Sequence, residues 1–366
     1  GMMGMMGGMM SGMLANPELM AMFSSGEAPP APDPNGSRAA FGSTAAQVIP
    51  ADVIMFSGCK DDQTSADVHN VASFGLPPDA GPGGAGGACT NAMMLALSQN
   101  ASPTWIELLE SMRVILEEKK FTQVPQLASS KEIMLNAKYD LKLDNGSGRT
   151  KALMVGINYV GHKQGVLNGC HNDVLVMKQF IVEQQGFDEN NIKVLMDDGQ
   201  HQNPEKENIM NGIRWLIDGA QSGDSLFMHY SGHGTQMKDD DGDEADGMDE
   251  ALCPVDYPSA GMIRDDDMFR ELVATLPAGC RLTVVMDCCH SGSILDLPYS
   301  FTASAQGVQN FQSESGGTGA IPANGAFNWT MAFGVGMQLY NMHKNGASMS
   351  ELAAEGQRAM KAFMGR

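Results

Sequence analysis

The sequence predicts an α/β fold with a parallel sheet covered by helices on both faces. Three observations predict it. Short apolar runs alternate with amphipathic, helix-length stretches from 151 to 287. Two of those runs end in reactive residues, and open α/β sheets carry their sites beyond the carboxyl ends of strands. The chain has 366 residues, 43% of them hydrophobic, which is enough for a substantial core.

The elements follow in order. Residues 1–45 are Met/Gly-rich and then Pro-rich ("EAPPAPDPNGS"), which reads as a flexible arm with a short helix near 15–23. Such methionine clusters can also form adaptable sticky surfaces. "DVIMF" (52–56) reads as a short buried strand, and "TNAMMLALSQN" and "TWIELLESMRVILEEKK" as helices, with Ser102-Pro103-Thr104 opening the second. "IMLNAKYDLKL" (133–143) reads as a strand and "DNGSGR" (144–149) as a turn or linker. "KALMVGINYV" (151–160) is a strand, "NDVLVMKQFIVEQQG" (172–186) a helix ended by Gly, "NIKVLMDD" a strand and "KENIMNGIRWLIDGA" a helix. "DSLFMHYSGHG" (224–234) is a strand, "DDDMFRELVATL" (265–276) a helix and "RLTVVMD" (281–287) a strand. Residues 303–366 are Gly/Ser/Asn-rich, then form one helix from Ser348 to about Phe363. There are no internal repeats.

Charge and cysteine content exclude several classes. Lys+Arg is 23 against 43 Asp+Glu, a net charge of −20, which argues against nucleic acid and suits cationic substrates or metal ions. Seven cysteines, an odd number, do not form a disulfide framework, so a reduced, cytoplasmic setting is expected. No apolar run is long enough to span a bilayer. No Lys or Arg precedes Arg38, so the charged start of a signal peptide is missing.

The chemistry concentrates in "FMHYSGHG" (227–234) and "VVMDCCHSG" (284–292). Period-two alternation places Ser231 and His233 on one side of their strand's extension, and Asp287 and Cys289 on one side of theirs, with Cys288 pointing the other way. Neighbouring strand ends could bring His233 to Cys289, with Ser231 and Asp287 beside them. A thiolate beside an imidazole is an activated nucleophile. Gly232, Gly234 and Gly292 let backbone N–H groups approach a substrate carbonyl and stabilise an oxyanion.

Blander readings compete. Cys288-Cys289-His290 could ligate zinc, but no second ligand pair has metal spacing. A redox Cys-x-x-Cys is absent, and inert buried cysteines are the commonest alternative. The acid run "DDDGDEADGMDE" (239–250) reads first as a solvated loop, and it fails as an EF-hand because Glu244 replaces the required Gly. "RDDDM" (264–268) reads as a helix start. Carboxylates from several loops at one sheet edge could instead hold Ca²⁺.

With these residues in view, the chain resembles the metacaspases, caspase-fold cysteine peptidases of protists, plants and fungi. The matching segments are "GINYVGHKQGVLNGCHND" (156–173), "HYSGHGTQ" (229–236), "DGDEADGMDEALCPVDY" (241–257), "GMIRDDDM" (261–268) and "MDCCHSGSILDLPY" (286–299). Upstream, "DVIMFSGCKDDQTSAD" (52–67), "GGACTNAMMLAL" (86–97) and "FTQVPQLASS" (121–130) look like the family's small-subunit region, here placed ahead of the catalytic one as in the type III members.

The resemblance implies a caspase-like three-layer α/β/α sandwich with a mixed, mostly parallel sheet. It divides the chain into an arm (1–45), a small-subunit-like region (46–146), a catalytic region (147–302) and a variable extension (303–366), with 46–302 as one domain. It implies a monomeric, calcium-dependent endopeptidase that cleaves protein or peptide substrates after Arg or Lys. His233 would be the general base, Cys289 the nucleophile, and the Gly234 and Cys289 backbone the oxyanion donors. Cys170, Asp173, Ser231 and Asp287 would bind the substrate cation. Asp249, Asp265, Asp266 and Asp296 would hold an activating Ca²⁺. The competing function is a non-catalytic scaffold on the same fold, which fold alone cannot exclude. A thiol redox sensor built on Cys288-Cys289 is a third reading, disfavoured because adjacent cysteines bridge only with strain.

Overall fold

The structure is a computed structural model that describes residues 49–58, 67–68, 86–131, 133, 135–143, 148–238, 248–289, 291–304 and 307–312. The expected arm, the helix at 348–363, most of the turn at 144–149, His290 and residues 239–247 of the acid run lie outside the described residues.

In chain order the strands are β1 (Asp52–Ser57), β2 (Asp67–Val68), β3 (Gly86–Gly87), β4 (Gln126–Ser129), β5 (Thr150–Gly156), β6 (Ile192–Met196), β7 (Ser225–Ser231), β8 (Gly234–Lys238), β9 (Met248–Leu252), β10 (Ile263–Arg264), β11 (Arg281–Asp287), β12 (Tyr299–Ser304) and β13 (Gly307–Gln312). The helices are α1 (Ala88–Gln99), α2 (Trp105–Glu118), α3 (Cys170–Glu183), α4 (Lys206–Ile217), α5 (Tyr257–Ala260) and α6 (Asp265–Met268). The eight-stranded sheet runs β13-β12-β4-β1-β11-β7-β5-β6. The central strands β1, β11, β7, β5 and β6 are parallel, and β4, β12 and β13 add antiparallel pairs at one side.

Alternation sorts the strand residues between two cores. Val53, Met55, Leu153, Val155, Met228, Tyr230, Val284 and Met286 pack on one face with Ile209, Ile213 and Leu216 of α4. Ile54, Phe56, Ala152, Met154, Phe227 and Val285 pack on the other with residues of α1, α2 and α3. This is the three-layer, mostly parallel caspase-like arrangement. Because β1 pairs with β11 from Asp52 to Ser57, the upstream region joins the catalytic region in one sheet.

Four departures from the sequence reading have local causes. Residues 135–143 form no strand. Their carbonyls at Leu135 and Ala137 instead accept the N–H groups of Ile106 and Trp105 at the start of α2, where helical donors lack partners. The apolar alternation there is used for packing: Tyr139 sits edge-on to Trp105, with ring centroids 5.0 Å apart. The helix expected at 265–276 is α-helical only to Met268 and continues as a π turn over Phe269–Val273. The acid run ends in a strand, β9, flanked by β8 and β10 in a small antiparallel sheet; Asp and Glu are poor strand formers, so its sequence conceals it. The segment beginning near 300 extends the main sheet by two strands before leaving the described residues.

Candidate active site

The strand ends of β7 and β11 meet in register. Ser231 lies opposite Asp287, and Gly156 of β5 lies opposite Ser231 on its other side. Parity separates the two adjacent cysteines. Cys288 is 1% exposed in the α4-side core, whereas Cys289 is partly exposed. Past the strands, the His233–Gly234 turn is pressed onto the end of β11. A β-carbon on Gly234 would lie 2.0 Å from the Cys289 carbonyl oxygen and 3.3 Å from Cys288 Sγ. His233 and Cys289 are therefore brought to one place by contact between their immediate backbones.

The histidine has a defined orientation. Its Nε2 is 2.7 Å from the Gly165 carbonyl, and its ring lies against Tyr159 with centroids 4.6 Å apart. A carbonyl oxygen only accepts, so Nε2 carries a hydrogen, and in the neutral ring the lone pair is on Nδ1. The loop that supplies Gly165 turns back sharply, with Gly161 and Gly165 both in the left-handed region at φ 86° and 74°.

Beside this pair stand two buried carboxylates. Asp173, in the first turn of α3, is 2% exposed; it accepts the Gly87 N–H with its two oxygens at 2.9 and 2.8 Å and the Ser231 hydroxyl at 2.7 Å. Asp287 accepts the Thr90 N–H at 2.7 Å. The Thr90 hydroxyl is 3.2 Å from Nε2 of His229, which burial holds down at about 3, so that imidazole is neutral. Cys170 starts α3; its N–H donates to Asn158 Oδ1, and its side chain is buried. Gly86 and Gly87 pass so close to the α3 start that a β-carbon on Gly169 would lie 2.4 Å from Gly86 Cα. Glycine on both segments permits that crossing.

A second acidic group lies along β9 and α6. Asp249, Asp265 and Asp266 each bring a carboxylate oxygen within 4.8 Å of the others. Asp265 accepts the N–H groups of Glu250 at 2.6 Å and of Asp266 at 2.8 Å. Burial, with the Glu250 and Asp249 charges, pushes its carboxyl up to about 8. Arg264 forms an ion pair with Asp249. The donors are all hard oxygens, the set that suits Ca²⁺ or Mg²⁺ and not a soft metal. Asp296, named with these three from the sequence, lies on the segment after Cys289. It is buried in a tight turn at φ 46°, with its N–H bonded to the Ser293 carbonyl at 2.6 Å. The segment after Cys289 is joined to β9 through another pair: Ser293 Oγ donates to Glu250 Oε2 at 2.5 Å.

Sequence reading missed Thr90, Gly87, Tyr159, Gly165, His229, Tyr230 and Glu250. His229 shares the parity of Ser231, and Glu250 adjoins Asp249, so each carried a faint signal. Thr90 and Gly165 carried none, because they meet His229 and His233 across 139 and 68 residues.

Two family models match the chain in separate segments. Residues 150–298 match the model of the metacaspase, peptidase C14 domain, and residues 23–133 that of the caspase domain. "Metacaspase III c" of Phaeodactylum tricornutum is 48% identical over 263 residues, 70% of this chain and 77% of that protein. "Metacaspase-1A" of Neurospora crassa is 42% identical over 208 residues, 56% of this chain and 46% of that protein. "Metacaspase-1" of Schizosaccharomyces pombe is 47% identical over 174 residues, 46% and 40% of the two chains. The chain thus spans under half the length of the two fungal relatives.

Proposed function

Since the chain belongs to the metacaspases, a family of caspase-type cysteine peptidases, we propose that it is a calcium-dependent endopeptidase that cleaves after Arg or Lys with Cys289 and His233. The observation that carries the reading is the contact of the Gly234 backbone with the Cys289 carbonyl, beside the partly exposed thiol. Cys289 Sγ attacks the peptide carbonyl carbon, and His233 Nδ1 takes the thiol proton. The tetrahedral oxyanion is stabilised by the N–H groups of Gly234 and Cys289. On collapse the C–N bond breaks, and the imidazolium gives its proton to the leaving amine. Water, deprotonated by the same Nδ1, then hydrolyses the thioester and releases the acid. The Gly165 carbonyl keeps Nε2 protonated, so Nδ1 is the working atom throughout.

Asp173 and Asp287 support the preference for a cation. Two buried carboxylates held by neutral donors favour a guanidinium or ammonium group and disfavour an acidic side chain. Ser231 orients Asp173, and Cys170 lines the same end of α3. Asp249, Asp265 and Asp266, with Asp296 from the segment after Cys289, are the residues that would hold the calcium, whose contribution is to order the site and not to take part in bond breaking. Residues β8 and β9 support that coupling, because β8 begins at Gly234 and pairs along its length with the acid-bearing strand.

The test is hydrolysis of short fluorogenic peptides ending in Arg, Lys or Asp, each with calcium and with chelator. Cleavage of the Arg and Lys peptides only when calcium is present is expected. Preference for Asp, or no cleavage of any peptide in calcium, rejects the reading.

A further inference from the structure

His233 is held at both its N–H and its carbonyl, and two phenols take part. Its N–H donates to the Tyr159 hydroxyl oxygen at 2.8 Å. Its carbonyl accepts from the Tyr230 hydroxyl at 2.8 Å and from the Cys253 N–H at 3.1 Å. The Tyr159 hydroxyl in turn donates to the Cys253 carbonyl at 2.7 Å, and the Tyr230 hydroxyl also reaches that oxygen at 3.3 Å. Cys253 directly follows β9, so the two phenols join the histidine turn to the acid-bearing strand.

The core alone does not call for these hydroxyls. Tyr159 and Tyr230 are 1% and 0% exposed, and phenylalanine would fill nearly the same space. A buried hydroxyl costs free energy unless it finds partners, and these find theirs on His233 and Cys253. Local backbone is shaped to deliver them. Tyr159 takes a left-handed conformation at φ 56°, rare for a bulky residue and concentrated at functional positions. A β-carbon on Gly232 would lie 2.9 Å from the Tyr230 hydroxyl oxygen, so glycine there leaves the room that the phenol occupies. The Tyr159 ring also lies tilted against the imidazole, which leaves the imidazole confined by the phenol ring on one side and by the Gly165 carbonyl at Nε2.

We propose that Tyr159 and Tyr230 are positioning residues that clamp the His233 backbone, aiming Nδ1 at the Cys289 thiol. The proposal rests on the reading of His233 and Cys289 as the working pair. Their hydroxyls bond the His233 and Cys253 backbone and not the reacting Nδ1; they fix the base.

The test uses full-length Tyr159→Phe and Tyr230→Phe, each checked for folding by thermal melting. One readout needs no substrate: the pH dependence of Cys289 alkylation by iodoacetamide, followed on the Cys289 peptide by mass spectrometry. The thiolate is the reactive form, and an imidazolium in place beside it extends its reactivity to lower pH. In each folded variant the alkylation profile should move to higher pH. With an Arg peptide, kcat should fall about ten- to hundredfold while KM stays close to the wild-type value, the signature of a misaimed base. The two substitutions remove different hydrogen bonds, so either one that folds carries the test. A wild-type kcat and an unmoved alkylation profile in a folded variant overturn the clamp. If wild-type protein cleaves no peptide yet the variants shift the alkylation profile, the clamp stands and the peptidase reading falls.

Discussion

A β-carbon on Gly87 would sit 2.2 Å from Oδ2 of Asp287, while the amide of the same glycine bonds both oxygens of Asp173. One residue without a side chain therefore spans both buried carboxylates. Asp287 cannot simply retreat, because the Thr90 N–H holds the same Oδ2. Gly87→Ala should push the Asp287 carboxylate aside and raise KM for an Arg peptide about tenfold or more, the loss of roughly one good hydrogen-bonded contact. Cys289 alkylation should be unaffected, since the displaced group is a pocket carboxylate and not His233. An unchanged KM would remove Gly87 from the site.

Substituting either carboxylate should be costlier than moving it. Asp173→Ala and Asp287→Ala each leave a substrate cation without its partner in a partly desolvated setting, at roughly 3–5 kcal/mol. That corresponds to a loss of about a hundredfold or more in kcat/KM on Arg and Lys peptides. Steady-state kinetics on matched Arg and uncharged peptides check it. Equal kinetics of variant and wild type on the Arg peptide would show that the cation binds elsewhere.

The adjacent thiols should behave oppositely. Cys289→Ala should abolish peptidase activity. Cys288→Ala, in the α4-side core, should retain most activity and cost about 1 kcal/mol of stability, a typical value for a small buried truncation. Activity assays with melting curves decide between them, and an active Cys289→Ala with a dead Cys288→Ala would exchange their roles.

Parity made this much legible in advance. Ser231 and Asp287 stand opposite each other at the ends of β7 and β11, which sit side by side as the βαβ rhythm implies. What sequence could not reveal depends on chain crossings. Gly87 and Thr90 reach Asp173 and Asp287 from a region that precedes the catalytic one by many residues, across 86 and 197 positions. The 133–143 stretch misled for a related reason: its alternation is that of a strand, yet its carbonyls serve the α2 N-terminus. Glu250, which the sequence did not single out, supplies a tie from β9 to the Cys289 loop through Ser293.

His229 sets a pH dependence of stability. Its ordinary value of 6.5 is lowered to about 3 by burial, so the folded protein keeps it neutral where the unfolded chain protonates it. The unfolded state then binds more protons between these values, and stability falls as pH drops from about 6.5 toward 3. The slope from this one group is about 1.4 kcal/mol per pH unit. Above 6.5 it contributes no slope. His229→Gln should be less stable at neutral pH, having lost a fitted buried group, but should show a shallower acid decline. Denaturant melts at pH 7, 6, 5 and 4.5 measure this, and parallel declines in the two proteins would assign the acid lability to other groups.

Calcium should switch activity on through Asp249, Asp265 and Asp266. These carboxylates belong to two segments, β9 and the start of α6, and Glu250 lies beside them. Like charges at such separations repel strongly unless a cation intervenes. Arg264 offsets part of that charge on Asp249, and an ion bound there would compete with it. Drawing β9 and α6 together would fix β9 against β8, whose first residue is Gly234, and would fix Cys253, whose N–H holds the His233 carbonyl. The ion thus acts on the base through two backbone connections and needs no contact with substrate. Half-activation is expected at about millimolar calcium or below, within the span of known oxygen-ligated sites. Magnesium should substitute poorly, because it holds its waters and demands stricter octahedral geometry. The double variant Asp265→Ala/Asp266→Ala should lose the activation; because it also removes the acceptor of the buried Glu250 N–H, its folding is checked by melting in chelator before activities are compared. Full activity in excess chelator, or equal activation by magnesium, would sink the idea.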